Sequence, residues 1–192
     1  MKRALGFLPA LLLCALPAVW GQTGGAATQG GNAGNSNMGS GSTSSHKMSH
    51  GGAMDMKFAH DAAAGGMAEV KLGQLAAQKG SSDFVKQFGQ KMVDDHSKAN
   101  DQLKSIAAQA NVTLPADIDA KDQALYDRLS KLNGTAFDNA YLSAMLKDHR
   151  KDVSEFQREA QSGQNADIRN FASQTLPVIQ GHLQMLESKK MM

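Results

Sequence analysis

Met92-Val93-Asp94-Asp95-His96-Ser97-Lys98 and Met145-Leu146-Lys147-Asp148-His149-Arg150-Lys151 decide how this chain is read. Each runs apolar pair, spacer, Asp-His, polar residue, Lys, and each lies inside an amphipathic stretch. In the first, Phe84, Phe88, Met92, His96, Ala99, Leu103 and Ile106 follow steps of three and four, which keep one face of a 3.6-residue helix inward. In the second the stripe is Leu142, Met145, His149, Val153, Phe156 and Ala160. Two flanking stripes are interrupted in the same way. Glu69 sits among Phe58, Ala62, Gly65, Leu72 and Ala76, and His182 among Ile168, Phe171, Thr175, Ile179 and Leu186. Four helices thus each carry one ligand-type residue on the side that packing buries.

The helices follow from these stripes and their punctuation. Helix 1 is expected over 57–79, stopped by Gly80; helix 2 over 83–110, started by Ser81 or Ser82 and broken by the run from Asn111 to Pro115. A shorter helix over 118–132 ends at Asn133-Gly134. Thr135-Ala136-Phe137-Asp138 reads as a variant capping box opening helix 3 over 136–161. Asn165 caps helix 4, over 166–188, which Pro177 is expected to kink one turn before His182. No strand-like alternation competes, so the fold class is all-α. Short turns after helices 1 and 3 make antiparallel neighbours, giving a four-helix bundle with an extra short helix in the crossover between helices 2 and 3. Glu69 and His96 lie twelve and fifteen residues from Ser81, and His149 and His182 fourteen and nineteen from Gly163. At 1.5 Å per residue the differences are about one turn, so the four are expected to share one layer of the core.

The front of the chain reads differently. Met1-Lys2-Arg3 is a positive start, residues 4–19 an apolar run broken by Pro9 and Pro17, and Val19 and Gly21 the small residues a signal peptidase reads. Residues 1–21 are expected to be a cleaved secretory signal, placing the mature chain in the periplasm or cell envelope. The run is short of the roughly 20 apolar residues of a membrane span, and Leu13 before Cys14 counts against lipidation. Cleavage removes the only cysteine and the only tryptophan and leaves no disulfide to form. It also takes two cations, so Lys+Arg falls from 20 to 18 against 18 Asp+Glu. With no basic excess, nucleic acid is excluded as a partner, and no membrane span remains. Homo-oligomerisation and protein partners are left open.

Residues 22–56 are expected to be a disordered tether, since Gly, Ser, Asn and Thr bury too little surface to offset ordering. Its end gathers His46, Met48, His50, Met54, Met56 and His60. Thioether and imidazole groups suit soft copper(I), although biased linkers also accumulate such residues. Residues 57–189 form the folded domain.

Gly65-Gly66-Met67-Ala68-Glu69, the stretch from Met92 to Lys98, Asp148-His149 with Asp152, and Thr175-Leu176-Pro177 with His182 together resemble a bacterial family of exported proteins. Its members carry a ferritin-like four-helix domain of unknown function and are often labelled outer-membrane proteins. The likeness spans nearly all of residues 57–189 and implies the fold and the compartment without naming a reaction. No membrane β-strand pattern supports the label.

Ferritin-like di-iron proteins take a glutamate from each of two helices and Glu-x-x-His from the other two. Here Val93 precedes His96 by three, Ile179 precedes His182 by three, and His149 stands where helix 3 would offer a carboxylate. Only Glu69 fits its slot. Three imidazoles and one carboxylate instead suit a single divalent ion such as zinc, iron or manganese, with Asp152 as an added or orienting ligand. Asp95 and Asp148 lie about 100° around their helices and are expected to serve a neighbouring helix or the surface. Two other readings stand beside metal binding: a structural or interaction module with a satisfied polar core, and a mononuclear-metal enzyme with an open coordination position. The chain has no cysteine nucleophile after cleavage, no Gly-x-Ser-x-Gly elbow and no phosphate-cradling loop.

Overall fold

The computed structural model describes residues 50–190, with side chains over 52–189. Five helices make up this span: α1 (His50–Lys79), α2 (Asp83–Gln109), α3 (Ala120–Ser130), α4 (Gly134–Ser162) and α5 (Ala166–Lys190). No strand occurs among the described residues, so the all-α expectation holds. The expected signal, most of the tether, and the side chains of His46, Met48 and His50 lie outside them.

The helices pack as a helical bundle. α1 lies along α2 and α4 along α5, while α2 meets α5 and α1 meets α4, so the cyclic order is α1, α2, α5, α4. The two copies of the Asp-His sentence therefore stand on opposite corners. α1 and α2 approach closely through Gly73 and Gly89, where a Cβ on either would lie 2.7 Å from the other's carbonyl oxygen. Short α3 lies against α1 and α4 and buries Leu129 completely.

The core falls into two apolar clusters. One holds Leu72, Val85, Phe88, Met92, Phe137, Tyr141, Met145 and Leu186, and the other Phe58, Leu103, Phe156, Ile168, Phe171 and Ile179. Along every long helix the ligand-type residue comes between them. Of the expected stripes, Phe88, Met92, Leu103, Met145, Phe156 and all five apolar-side neighbours of His182 are buried, whereas Phe84, Ala99, Ile106, Leu142, Val153 and Ala160 are only half-buried.

Several boundaries correct the sequence reading. α1 starts at His50, seven residues before Lys57, so residues 50–56 are helix and not tether. Asp55 explains why this turn is held. Its buried carboxylate accepts hydrogen bonds from the backbone amides of Gln164 and Asn165 at the α4–α5 turn. α2 ends before any influence of Pro115. Asn111 adopts the left-handed conformation, φ 54°, and Val112 N–H donates to Ala107 O, a Schellman-type closure. α5 continues through Pro177, where the missing amide faces the exposed side of the helix.

Asp138 does not cap its own helix. α4 opens at Gly134, after Asn133, whose side chain makes no capping bond. Asp138 instead accepts from Ser81 N, Ser81 Oγ and Ser82 N at 2.8, 2.7 and 2.9 Å. Three donors on the α1–α2 turn outcompete the amides of α4. Thus Asp55, at the start of the first hairpin, holds the turn of the second, and Asp138, at the start of the second, holds the turn of the first. Asp138→Ala should lower unfolding free energy by about 3 kcal/mol in urea titration, whereas Thr135→Ala, at an exposed position, should change it by less than about 0.5 kcal/mol.

Candidate metal centre

Glu69, His96, His149 and His182 meet in one layer between the two apolar clusters. Their side chains are buried, with His149 and His182 at 0% exposure. His96 Nδ1 lies 2.7 Å from Glu69 Oε2, and His149 Nδ1 lies 3.4 Å from Glu69 Oε1. His149 Nε2 faces His182 Nδ1 at 3.3 Å, and His182 Nε2 reaches Asp95 Oδ2 at 2.8 Å. These contacts form a circuit: Asp95 on α2, His182 on α5, His149 on α4, Glu69 on α1, and back to α2 at His96. The four helices are joined through one polar chain.

The acceptors fix the tautomers. His182 Nε2–H must donate to Asp95, an aspartate kept below the usual range because bonds from Lys91 and His182 outweigh its burial. His149 Nδ1 faces Met145 O at 3.1 Å and Glu69 Oε1, both acceptors, and so carries the ring proton. In the neutral rings, His149 Nε2 and His182 Nδ1 therefore present lone pairs to each other. A third ring nitrogen is also free, because His96 Nε2 is buried with no protein hydrogen-bond partner. Glu69 Oε1 likewise makes no hydrogen bond to protein.

Burial sets the protonation of the layer. It pushes Glu69 up to about 8, partly offset by His149 and reinforced by Asp148, and pushes Asp152 up to about 9 with help from Glu69 and Asp148. It pushes His96 and His182 down to about 4, against the pull of nearby aspartates, and His149 down as well. Two groups of metal-ligating atoms lie within 4.8 Å of one another: His96, His149 and His182, and Glu69, His149 and Asp152. All five residues singled out in the sequence are brought together, with His149 common to both groups.

The two sides of the layer differ. On one, Phe88 packs its ring against His149 and His182 at 6.4 and 6.1 Å, and Tyr141 packs between Phe88 and Phe137. On the other lies a cavity of about 30 Å³ bordered by Glu69, His96, Asp152, Asn100, Gly65 and Gly66. A Cβ on Gly66 would stand 2.2 Å from Asn100 Oδ1, so this glycine seats the Asn100 carboxamide against α1. A Cβ on Gly65 would meet nothing within 4 Å. A glycine inside a helix costs about 1 kcal/mol relative to alanine, and at Gly65 no packing neighbour requires it.

The family model described as "Domain of unknown function (DUF4142)" matches residues 39–188. The chain belongs to this family. No curated protein matches it. Among solved structures, this DUF4142 chain is similar to the crystal structure of a DUF305 fragment from Deinococcus radiodurans, with a TM-score of 0.62 and 12% sequence identity, covering 70% of this chain and 93% of that one. At that identity the likeness concerns the fold alone.

The Met/His cluster fares differently from the layer. In this DUF4142 domain Met54, Met56 and His60 belong to α1, so they are not tether residues. Helical geometry sets Met54 and Met56 on opposite sides, with Met54 and His60 exposed and Met56 half-buried. Asp95, placed on a neighbouring face by the sequence, does serve another helix through His182. Asn100 and Tyr141 were not expected at the layer. Asn100 sits one turn after His96, a spacing that marks the same face; Tyr141 sits two turns before His149 and reads simply as core.

The pH dependence of the metal-free domain follows. The folded state keeps protons on Glu69 and Asp152 that the unfolded chain releases above its ordinary values of 4.5 and 3.8, so these groups cost stability as pH rises toward 8 and 9. The folded state refuses protons at His96 and His182 that the unfolded chain takes up below 6.5, so these cost stability as pH falls from 6.5 to 4. Between about 4.5 and 6.5 the two effects oppose each other, and above 6.5 only the carboxyls act. Thermal melts in chelator should show Tm falling between pH 6.5 and 9, with a shallower fall in Glu69→Gln.

Proposed function

We propose that this DUF4142 chain is an exported, ferritin-like four-helix protein that binds one divalent transition-metal ion in its core layer, for metal homeostasis or stress defence in the cell envelope. One observation carries the reading: His149 Nε2 and His182 Nδ1 face each other at 3.3 Å, each with its proton committed elsewhere. Facing lone pairs repel unless a cation or a shared proton lies between them. An ion with metal–nitrogen bonds of 2.0–2.1 Å in tetrahedral coordination separates its ligand nitrogens by about 3.3–3.4 Å, which matches this spacing. The free His96 Nε2 and the proximity of Glu69 and Asp152 supply the remaining donors.

In this role His96, His149 and His182 hold the ion and Glu69 balances its charge, while Asp152 completes or orients the set. Asp95 fixes the His182 tautomer, as carboxylates behind metal-ligating imidazoles do. The nitrogen-rich set suits zinc, iron or manganese better than a carboxylate-bridged ferric pair. A purely structural layer fits less well, because His96 Nε2 has no hydrogen-bond partner and Glu69 Oε1 has only the long 3.4 Å contact with His149. The export assignment rests on the positive start and short apolar run over 1–21.

Metal analysis by mass spectrometry, on protein exported to a periplasm and purified without chelator, tests the reading. Wild type should hold near-stoichiometric metal, and Glu69→Ala and His149→Ala should lose it. A form lacking residues 22–49 should keep it. Copper lost only on that truncation would move the function to the segment before α1. Absence of metal from every form, even after reconstitution, with His96→Leu/His149→Leu equal to or more stable than wild type, would leave the layer as architecture. Asp95→Asn should weaken metal affinity by about 10–100-fold, read by competition with a chelating dye.

A further inference from the structure

We infer that the side chains of Asp55 and Glu159 form a pH-operated latch, in which one shared proton holds the first two turns of α1 on the α4–α5 turn and its loss frees them. The pair stands apart from the polar layer, since Glu159 lies ten residues beyond His149 on α4, about 15 Å along the helix axis. Both residues are buried, at 2% and 4% exposure. Glu159 Oε1 has no hydrogen-bond partner on the protein, and the group its carboxyl meets is that of Asp55. Carboxylates only accept, so two of them can bond only if one carries a proton. Asp55 already accepts from the amides of Gln164 and Asn165, which assigns the proton to Glu159. Gly163 makes the seat, because a Cβ there would lie 2.3 Å from Glu159 Oε1.

Release is confined to the start of α1. Over residues 52–57 Asp55 is the only buried residue, with Met54 exposed and Met56 half-buried. Gly51 and Gly52 weaken the helix there by about 1 kcal/mol each. Phe58 is the next buried side chain and packs edge-on against Phe156 at 4.9 Å, so opening stops at Phe58. Burial pushes Glu159 up to about 7, reinforced by the charge of Asp55 and by their hydrogen bond, against the pull of Arg158 on α4 and Arg169 on α5. Arg169 is itself engaged, its Nη1 donating to Gly163 O at 2.6 Å. Lys57 and His60 on α1 are exposed, and Lys57 pairs with Asp61. The closed latch keeps a proton that the open one releases above 4.5, so closure weakens as pH rises from 4.5 and is lost through 7. Above that pH both carboxyls are charged and repel, and residues 50–57 join the segment that precedes the domain.

Hydrogen-exchange mass spectrometry on the full chain, corrected for the intrinsic pH dependence of exchange, tests the latch. Protection over 50–57 should fall by about tenfold from pH 6 to pH 8, the ratio that a midpoint of about 7 gives, while α2 stays protected. Glu159→Gln, whose carboxamide can still donate to Asp55, should stay protected at both pH values, and Asp55→Ala should be open at both. Wild-type protection that is constant between pH 6 and 8 overturns the latch, as does a fall that persists in Glu159→Gln. If Glu159→Gln is open at both values, the carboxyl carbon-13 resonance of Glu159 in wild type decides. A midpoint that coincides with the loss of protection supports the latch, and one outside pH 6–8 overturns it.

Discussion

The circuit of buried polar contacts through Asp95, His182, His149, Glu69 and His96 is the constraint on which the rest of this domain depends. Glu69 and the three histidines are removed from water while Asp95 is only half-buried, and each finds its partner on another helix, because unpaired buried groups cost about 1–3 kcal/mol. Starting and ending on adjacent residues of α2, the chain passes once through every long helix. Sliding any helix by a single turn, about 5.4 Å, would break two links and carry an imidazole or carboxylate into an apolar cluster. The layer therefore fixes axial register in a core whose remaining contacts, being non-directional, tolerate slippage.

It also divides the interior into unequal halves. Toward the α1–α2 turn the core is aromatic and closed, with Phe88, Phe137 and Tyr141 in contact and α3 covering it through Leu129. On the other side Phe58, Phe156 and Phe171 form a second aromatic group, and beside it small residues and a carboxamide border a cavity. The Tyr141 hydroxyl, buried without a protein partner and with its acidity suppressed by burial and by the Glu69 charge, is the one polar group on the closed side that this arrangement does not explain.

Much of this was legible from spacing alone. A histidine or glutamate falling on an apolar stripe at matching distance from a short turn is enough to predict a shared layer, because helical rise is constant. Glu69, His96, His149 and His182 met on that basis, and Asp152 joined them from its place one turn after His149. Asp95 was readable as belonging to a neighbour, since 100° of rotation takes it off the face of His96. What the sequence hid was tertiary. Asp138 resembles a local cap and is claimed by a turn 57 residues away; Asp55 looks like part of a tether until the α4–α5 turn gives it amides to bind. The end of α2 turned on the willingness of Asn111 to adopt a left-handed conformation, a choice the nearby proline concealed.

The reciprocal aspartates bear on how the chain can assemble. Each hairpin supplies the carboxylate that completes the other's turn, so neither half is chemically finished alone, and the final docking step closes both at once. Such wiring does not distinguish between hairpins of one chain and those of two. If the segment between α2 and α4 opened, the second hairpin of one copy could dock on the first hairpin of another and satisfy the same bonds, layer included. The fold thus contains a route to an exchanged dimer that needs no new surface.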